Sequence, residues 1–196
     1  SNTATYSNNK SSVSVHGQYP EADLIDNPKI KQGRGLNDVD VQKRRKVCVV
    51  GTRIVEELFT KGEEPLGQFI AVDGIYYQIV GVSGKDGNGI NIGGNPTTSV
   101  YIPYTTMQNA YNRGNDIDIL SFTAREGYKI SDIQQKVEAV LKRKHLIHPD
   151  DTQAVFKVNA EAIFSMIDNL FSGVSILVWM IGLGTLFAGA IGLSNI

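Results

Sequence analysis

Residues 47–82, VCVVGTRIVEELFTKGEEPLGQFIAVDGIYYQIVGV, carry the punctuation from which the fold of this chain is read. VCVVG is a short, continuous apolar run stopped by Gly51, the pattern of a buried strand. TRIVEELFTKG then sets Ile54, Val55, Leu58 and Phe59 at helical spacing, with Thr52 as the expected N-cap and Gly62 as the residue past the C-terminus. QFIAVDGIYYQIVGV is two β-rich runs on either side of Asp73-Gly74. That dipeptide favours a type I′ turn, because both central residues need positive φ, so a β-hairpin is expected here.

Upstream, periodicity is weak. SSVSVHG alternates like a short strand, and GRGLNDVDVQKRRK is a polar, glycine-containing connection ending in four consecutive cations, Lys43 to Lys46. The cations read as a solvated loop entering the next strand. Without interleaved aromatics they do not suggest nucleic acid, and a patch for phosphate or acidic lipid is the functional alternative.

Downstream, SGKDGNGINIGGNPTT is rich in glycine, yet it is not a phosphate loop. That motif needs Gly-Lys-Ser/Thr running straight into a helix, whereas Lys85 is followed by Asp86 and then by the β-type run SVYIP. DGNGIN is half of a calcium loop, without the later acidic ligands or the closing glutamate. The segment is expected to be a hairpin tip. DIDILSFTARE (116–126) reads as a strand, SDIQQKVEAVLKRKH (131–145) as an amphipathic helix with Ile133, Val137, Val140 and Leu141 on one face, and AVFKV (154–158) as a closing strand. Ser131 and Gln134 suggest a capping box, and Lys142, Arg143 and Lys144 suit the helix C-terminus.

Composition excludes several function classes. The chain has 196 residues, a formal net charge of -1 and one cysteine. It is long enough to bury a core without disulfides and has no global field to recruit nucleic acid. Cys48 sits in an apolar run with no local histidine, so it reads as a core residue and not a nucleophile. His145 and His148 flank a helix end and lack a third ligand at sensible spacing for zinc. Glu63-Glu64 lies in a polar loop. No nucleophile elbow, zincin pair or dinucleotide fingerprint is present. No residue is assigned a catalytic, cofactor-binding or metal-ligating role. The tips KDGNGINIGGNP and NRGND are the exposed segments suited to partner contact.

The C-terminal stretch FSGVSILVWMIGLGTLFAGAIGLSNI, Phe171 to Ile196, contains no charge, and Asp168 is the last charged residue. A helix is expected from about Asn159, amphipathic at first and then longer than the roughly 20 residues that cross a bilayer core. Gly182, Gly184, Gly189 and Gly192 among Leu, Ile, Phe and Ala suit close helix approach in lipid. The parent protein is expected to continue beyond Ile196.

RRKVCVVGTRIVEELFTKGEEPLGQFIAVDGIYYQIVGV resembles the extracytoplasmic core domain of MacB/FtsX-type ABC transporter permeases. The likeness lies in the strand ending at Gly51, Leu58-Phe59, Pro65-Leu66-Gly67-Gln68, and the hairpin ending at Val80-Gly81-Val82. KQGRGLNDVD resembles the family's Gly-Arg element followed by an acidic residue, SVYIPYTT its apolar strand with proline and threonine, and IGLGTLFAGAIGLSNI the start of its second membrane helix.

The resemblance implies an α+β fold: a β-rich, sabre-like subdomain inserted in a βαβ-type porter-like subdomain, followed by a C-terminal stalk and transmembrane helix. The boundaries it implies are 1–46 for an N-terminal porter-like strand and connection, 47–120 for the β-rich insertion, 121–158 for the returning porter-like segment, and 159–196 for the stalk running into the membrane. The first membrane helix and opening porter strands are expected to lie outside this chain. The implied function is non-catalytic. It would couple cytoplasmic ATP hydrolysis to efflux or release of a substrate by mechanotransmission, at the bacterial inner membrane with this domain periplasmic. The implied partners are an ABC ATPase subunit or domain, a periplasmic adaptor or substrate protein, and a second permease in a homo- or heterodimer. The alternative is an FtsX-like regulator that binds and activates a cell-wall hydrolase.

Overall fold

The computed structural model describes residues 2–26, 29–85, 94–114, 116–125, 127–128, 130–151 and 153–194. They fall into two compact units, residues 1–122 and 123–196.

The first unit is a small mixed barrel. Its strands are β1 (Asn2–Tyr6), β2 (Asn9–Gln18), β3 (Lys29–Gly33), β4 (Val47–Gly51), β5 (Phe69–Val72), β6 (Ile75–Gly84) and β7 (Ser99–Pro103). Their order is β3-β6-β4-β7-β2-β1-β5, and β5 pairs back onto β6, which closes the sheet. β2 with β7 and β4 with β6 run parallel, and every other pairing is antiparallel. The strands of residues 1–46 therefore belong to the same sheet as those of 47–120. Short helices α1 (Asp23–Asp26), α2 (Asp38–Gln42), α3 (Thr52–Leu58) and α4 (Tyr104–Ala110) lie between strands or follow the last one.

The hairpin expected at Asp73-Gly74 is present. Val72 faces Ile75, and Asp73 and Gly74 have φ of 49° and 83°, the doubly positive signature of a type I′ turn. Asp73 also ties down its surroundings, accepting from the Thr3 N–H at 3.0 Å and the Tyr111 hydroxyl at 3.0 Å. Cys48, Val50, Ile70, Val72, Tyr77, Ile79, Val82, Val100 and Ile102 fill the barrel, with Ile54, Leu58 and Phe59 of the α3 region packed among them. A β-bulge in the β4–β6 ladder shifts the register between Cys48–Ile79 and Val49–Gly81. The shift changes the side-chain parity, so that Ile79 and Val82 both reach the core despite an odd spacing. Every residue of β4 is buried because both of its faces are covered: Val47 and Val49 pack outward with Leu36 and Tyr101.

Several local expectations are corrected. The residue capping α3 is Gly51 and not Thr52, which is already helical. The exposed N–H of Arg53 is satisfied by the Thr97 carbonyl at 3.1 Å instead of by a side chain. Phe59 is the C-cap, so Gly62 (φ 95°) lies beyond the helix end. The helix of the second unit, α5 (Ile130–Lys144), starts before Ser131, which therefore sits inside the first turn and not at a capping box. Residues 116–125 and 154–158 form no strand. A strand is held by its ladder, and among the described residues neither segment has a neighbour to pair with. Ile117, Ile119 and Leu120 stand 66%, 65% and 55% exposed, and Phe156 92%. The glycine-rich segment joins β6 to β7, which β4 separates in the sheet, so it is a connection and not the expected hairpin tip; its residues 86–93, and Glu126, lie outside the described residues.

Candidate functional site: the stalk helix and its anchorage

In the second unit the Asn159 side chain caps the long helix α6 (Ala160–Ser194, 35 residues) by accepting from the Ala162 N–H at 3.2 Å. At 1.5 Å per residue α6 is roughly 52 Å long. Within it, Ala162–Ile191 is long and apolar enough to cross a membrane, and none of that span is buried. Trp179, at its middle, is 71% exposed. In water such a helix would display a large apolar surface on every side, and a helix apolar all round belongs in lipid or in a protein interior.

The anchorage of α6 comes from α5. Gln134, Glu138 and Lys142 are spaced i, i+4, i+8 and share one stripe of α5. Each meets the returning chain. Asn159 Nδ2 donates to Gln134 Oε1 at 3.3 Å, and Lys157 Nζ donates to Glu138 Oε2 at 2.8 Å. Lys142 Nζ donates to the Pro149 carbonyl at 2.7 Å and pairs with Glu138 Oε1 at 3.0 Å. Lys157 first, and Lys142 next, hold the Glu138 carboxyl below the ordinary carboxylate range. Lys142 is buried, so the Pro149 carbonyl and Glu138 replace the water its ammonium gives up. Sequence reading found the apolar face of α5 and missed this polar one. The i, i+4, i+8 spacing of Gln, Glu and Lys was the available signal. An open groove beside it, lined by Ser131, Asn159, Ala162, Ser165, Met166 and Asn169, has no charged side chain in its lining.

In the barrel unit the chief polar cluster surrounds Asp40, whose side chain is fully buried. Arg34 donates to both of its oxygens, at 2.6 and 3.2 Å, and Arg45 approaches at 3.4 Å. Asn37 and Asp40 form a reciprocal capping box on α2. This is the Gly-Arg element and its acidic residue. Of the four cations Lys43 to Lys46, Arg45 therefore serves the fold. Burial alone would push the Asp40 carboxyl up. The Arg34 guanidinium, the Asn37 N–H and Arg45 outweigh it and hold the carboxyl below its usual value. A depressed folded value contributes stability in full above the ordinary range near pH 4, and that stability is lost as pH falls through the depressed value. Arg34→Met leaves a buried carboxylate with only the Asn37 N–H at 3.2 Å and Arg45 at 3.4 Å. It is expected to cost about 3 kcal/mol at neutral pH, and the loss, measured by urea unfolding under circular dichroism, should shrink as pH falls and the Asp40 carboxyl becomes protonated. A loss that does not change with pH would contradict this account.

The residues weighed for chemistry are scattered. Cys48 is buried inside the barrel, where desolvation pushes its thiol far above its ordinary value. His145 follows the end of α5, and His148, exposed, lies 3.8 Å from Asp150. Among the described residues no group of three or more His, Cys, Asp or Glu side chains could hold a metal. Glu63 accepts from the Tyr6 hydroxyl at 2.7 Å and from Thr60, which makes it a loop tie. In the second expected contact tip, Gln108 Nε2 donates to the Gly114 carbonyl at 2.6 Å and Arg113 pairs with Asp118, so the described part of that tip is held by its own bonds.

The profile of the MacB-like periplasmic core domain matches residues 1–140. The chain belongs to this family. Among its relatives, the macrolide export ATP-binding/permease protein MacB 2 of Yersinia pestis bv. Antiqua (strain Antiqua) is 27% identical over 194 residues, covering 99% of this chain and 28% of that protein. The probable syringafactin export ATP-binding/permease protein SyfD of Pseudomonas syringae pv. tomato is 24% identical over 172 residues, covering 88% of this chain and 25% of that protein. The chain thus spans about a quarter of the length of the relatives it matches. The crystal structure of the periplasmic region of MacB from Actinobacillus actinomycetemcomitans aligns with a TM-score of 0.68 at 21% identity, over 85% of this chain and 71% of that one. The extracellular domain of the ABC-type transporter YknZ from Gram-positive bacteria aligns with a TM-score of 0.62 at 19% identity, over 74% and 71%. The family match includes the N-terminal strands β1 and β2, which the motif resemblance, running from about Gly33, did not reach.

Proposed function

We propose that the chain is the outer, non-catalytic domain of an ABC exporter permease, set on the periplasmic side of a bacterial inner membrane, with α6 as the stalk that enters the bilayer. The observation that carries this reading is the union of a family-matched barrel with one uninterrupted helix whose exposed surface is almost wholly apolar past Asp168. ATP hydrolysis would occur in a nucleotide-binding domain or subunit; the relatives are ATP-binding/permease proteins, and this chain has no Walker motif. Movement of the membrane helices would reach the outer domain through α6, which has no loop in which displacement could be absorbed. The division into porter-like segments around a β-rich insertion, pairing with a second permease, and an adaptor or substrate protein as the outer partner belong to the same proposal.

Topology is the first test. In the full transporter in cells with a permeabilised outer membrane, Val39→Cys, at an exposed position of α2, should react with a membrane-impermeant maleimide. Trp179→Cys should react only after detergent. The native Cys48 supplies the background control: buried and held as a thiol, it should stay unlabelled until the barrel is denatured. A Val39→Cys protein that labels only after the inner membrane is opened removes the proposed orientation, and stoichiometric labelling of folded Cys48 contradicts the barrel interior.

A further inference from the structure

The segment joining α5 to α6, residues 145–158, has neither helix nor strand among its described residues. A joint of that length is mechanically slack: 14 residues can pay out to roughly 45–50 Å before they pull taut. Displacement of α6 along its axis would then reach α5 late or not at all. The polar stripe of α5 removes the slack. Its three rungs join Gln134 to Asn159, Glu138 to Lys157, and Lys142 to Pro149. Residue numbers rise along α5 as their partners' numbers fall, so the return segment is fastened antiparallel along three successive turns. The rung at Asn159 uses the residue that also caps α6, so the first turn of the stalk is bonded to the first turns of α5. Glu138 is the centre of the set, because it holds Lys157 from the return segment and Lys142 from its own helix together.

We infer that Gln134, Glu138 and Lys142 form a coupling clamp that makes α5 and the start of the stalk one rigid body, so that motion of α6 is delivered to α5 without lag. This inference rests on the stalk reading of α6. The three residues are positioning residues: they touch no substrate and act through the return segment.

The test uses the full transporter in lipid nanodiscs. Glu138→Gln and Lys157→Met cut the central rung, and Lys157→Arg keeps it. Amide hydrogen exchange of residues 147–158 should rise about threefold or more in the two cutting variants and stay near wild type in Lys157→Arg. Export should fall severalfold in the same two variants while ATP hydrolysis is retained. Unchanged exchange would show that the rungs do not hold the segment, and the inference falls. Raised exchange with unchanged export would leave the rungs as local stabilisation only, and the inference falls again. Breaking the stalk itself at Ser165 separates the two ideas. If that break stops export while the rung variants do not, only the clamp is overturned. If neither has any effect, the stalk reading fails with it.

Discussion

Gly81→Ala is expected to remove a large share of the stability of the barrel. A Cβ at this position would lie 2.1 Å from the Arg34 carbonyl oxygen and 3.0 Å from its carbon, both backbone atoms. The crowding is mutual, because Gly81 faces Gly33 across the β3–β6 ladder, and a Cβ on Gly33 would meet the Val80 oxygen at 2.3 Å. Two glycines thus let β3 lie on β6 closely enough for the Arg34 N–H to reach the Val80 carbonyl at 3.0 Å. Pushing β3 away would also draw Arg34 from Asp40 and strand a buried carboxylate. Overpacking and the lost ion pair together should cost about 4 kcal/mol, a large share of the roughly 5–15 kcal/mol typical of a domain. Urea unfolding in detergent, followed by circular dichroism, measures the change. Gly74→Ala is the control: its φ is 83° but nothing lies within 4 Å of the added methyl, so it should cost only about 1 kcal/mol. Equal losses at the two positions would refute the close-approach argument.

The second large effect concerns the stalk. A Gly-Pro pair inserted at Ser165 is expected to abolish export in the parent transporter while ATP hydrolysis remains measurable. Asn159 caps α6 and Asp168 is its last charge, so Ser165 lies near the start of the stalk, ahead of the uncharged stretch that begins at Phe171. Proline removes a backbone donor and its ring clashes with the preceding turn, at about 3 kcal/mol in a helix interior. The added glycine frees the chain to bend there. An α-helix carries axial displacement because each turn is bonded to the next. A broken one would let the lower part move while the upper part stays still. Export at wild-type rate in this variant would eliminate the rod as the transmitting element.

How much of this was legible in the sequence depends on whether the deciding interaction is local. Asp73-Gly74 fixes its own turn, and the uncharged tail declares a lipid-compatible helix by composition alone, so both were readable. The barrel's β1 was missed because NTATY is polar: only Ala4 in it is buried, and alternation with one inward residue is a faint signal. DIDIL and AVFKV were read as strands because alternation reports a two-faced segment, not the presence of a neighbour to pair with. α2 and its Asn37–Asp40 capping box were read as a polar connection, although Asn-x-x-Asp was in plain view. The rungs of α5 were out of reach in another way. Lys157 and Asn159 follow an aperiodic stretch, and no local pattern says which turn of α5 they return to.

The closed order of the sheet has a consequence for how the molecule comes into being. β2 lies between β1 and β7 in parallel register with residues 99–103, so the strands of residues 2–18 can be locked in place only after residues 99–103 have been delivered. Such distant pairing makes for slow closure. Until then the β1–β2 hairpin is a half-finished ribbon, with β1 and β2 each lacking one flank. That interval, and not the finished barrel, is when the chain is most open to proteases and to pairing with a neighbour.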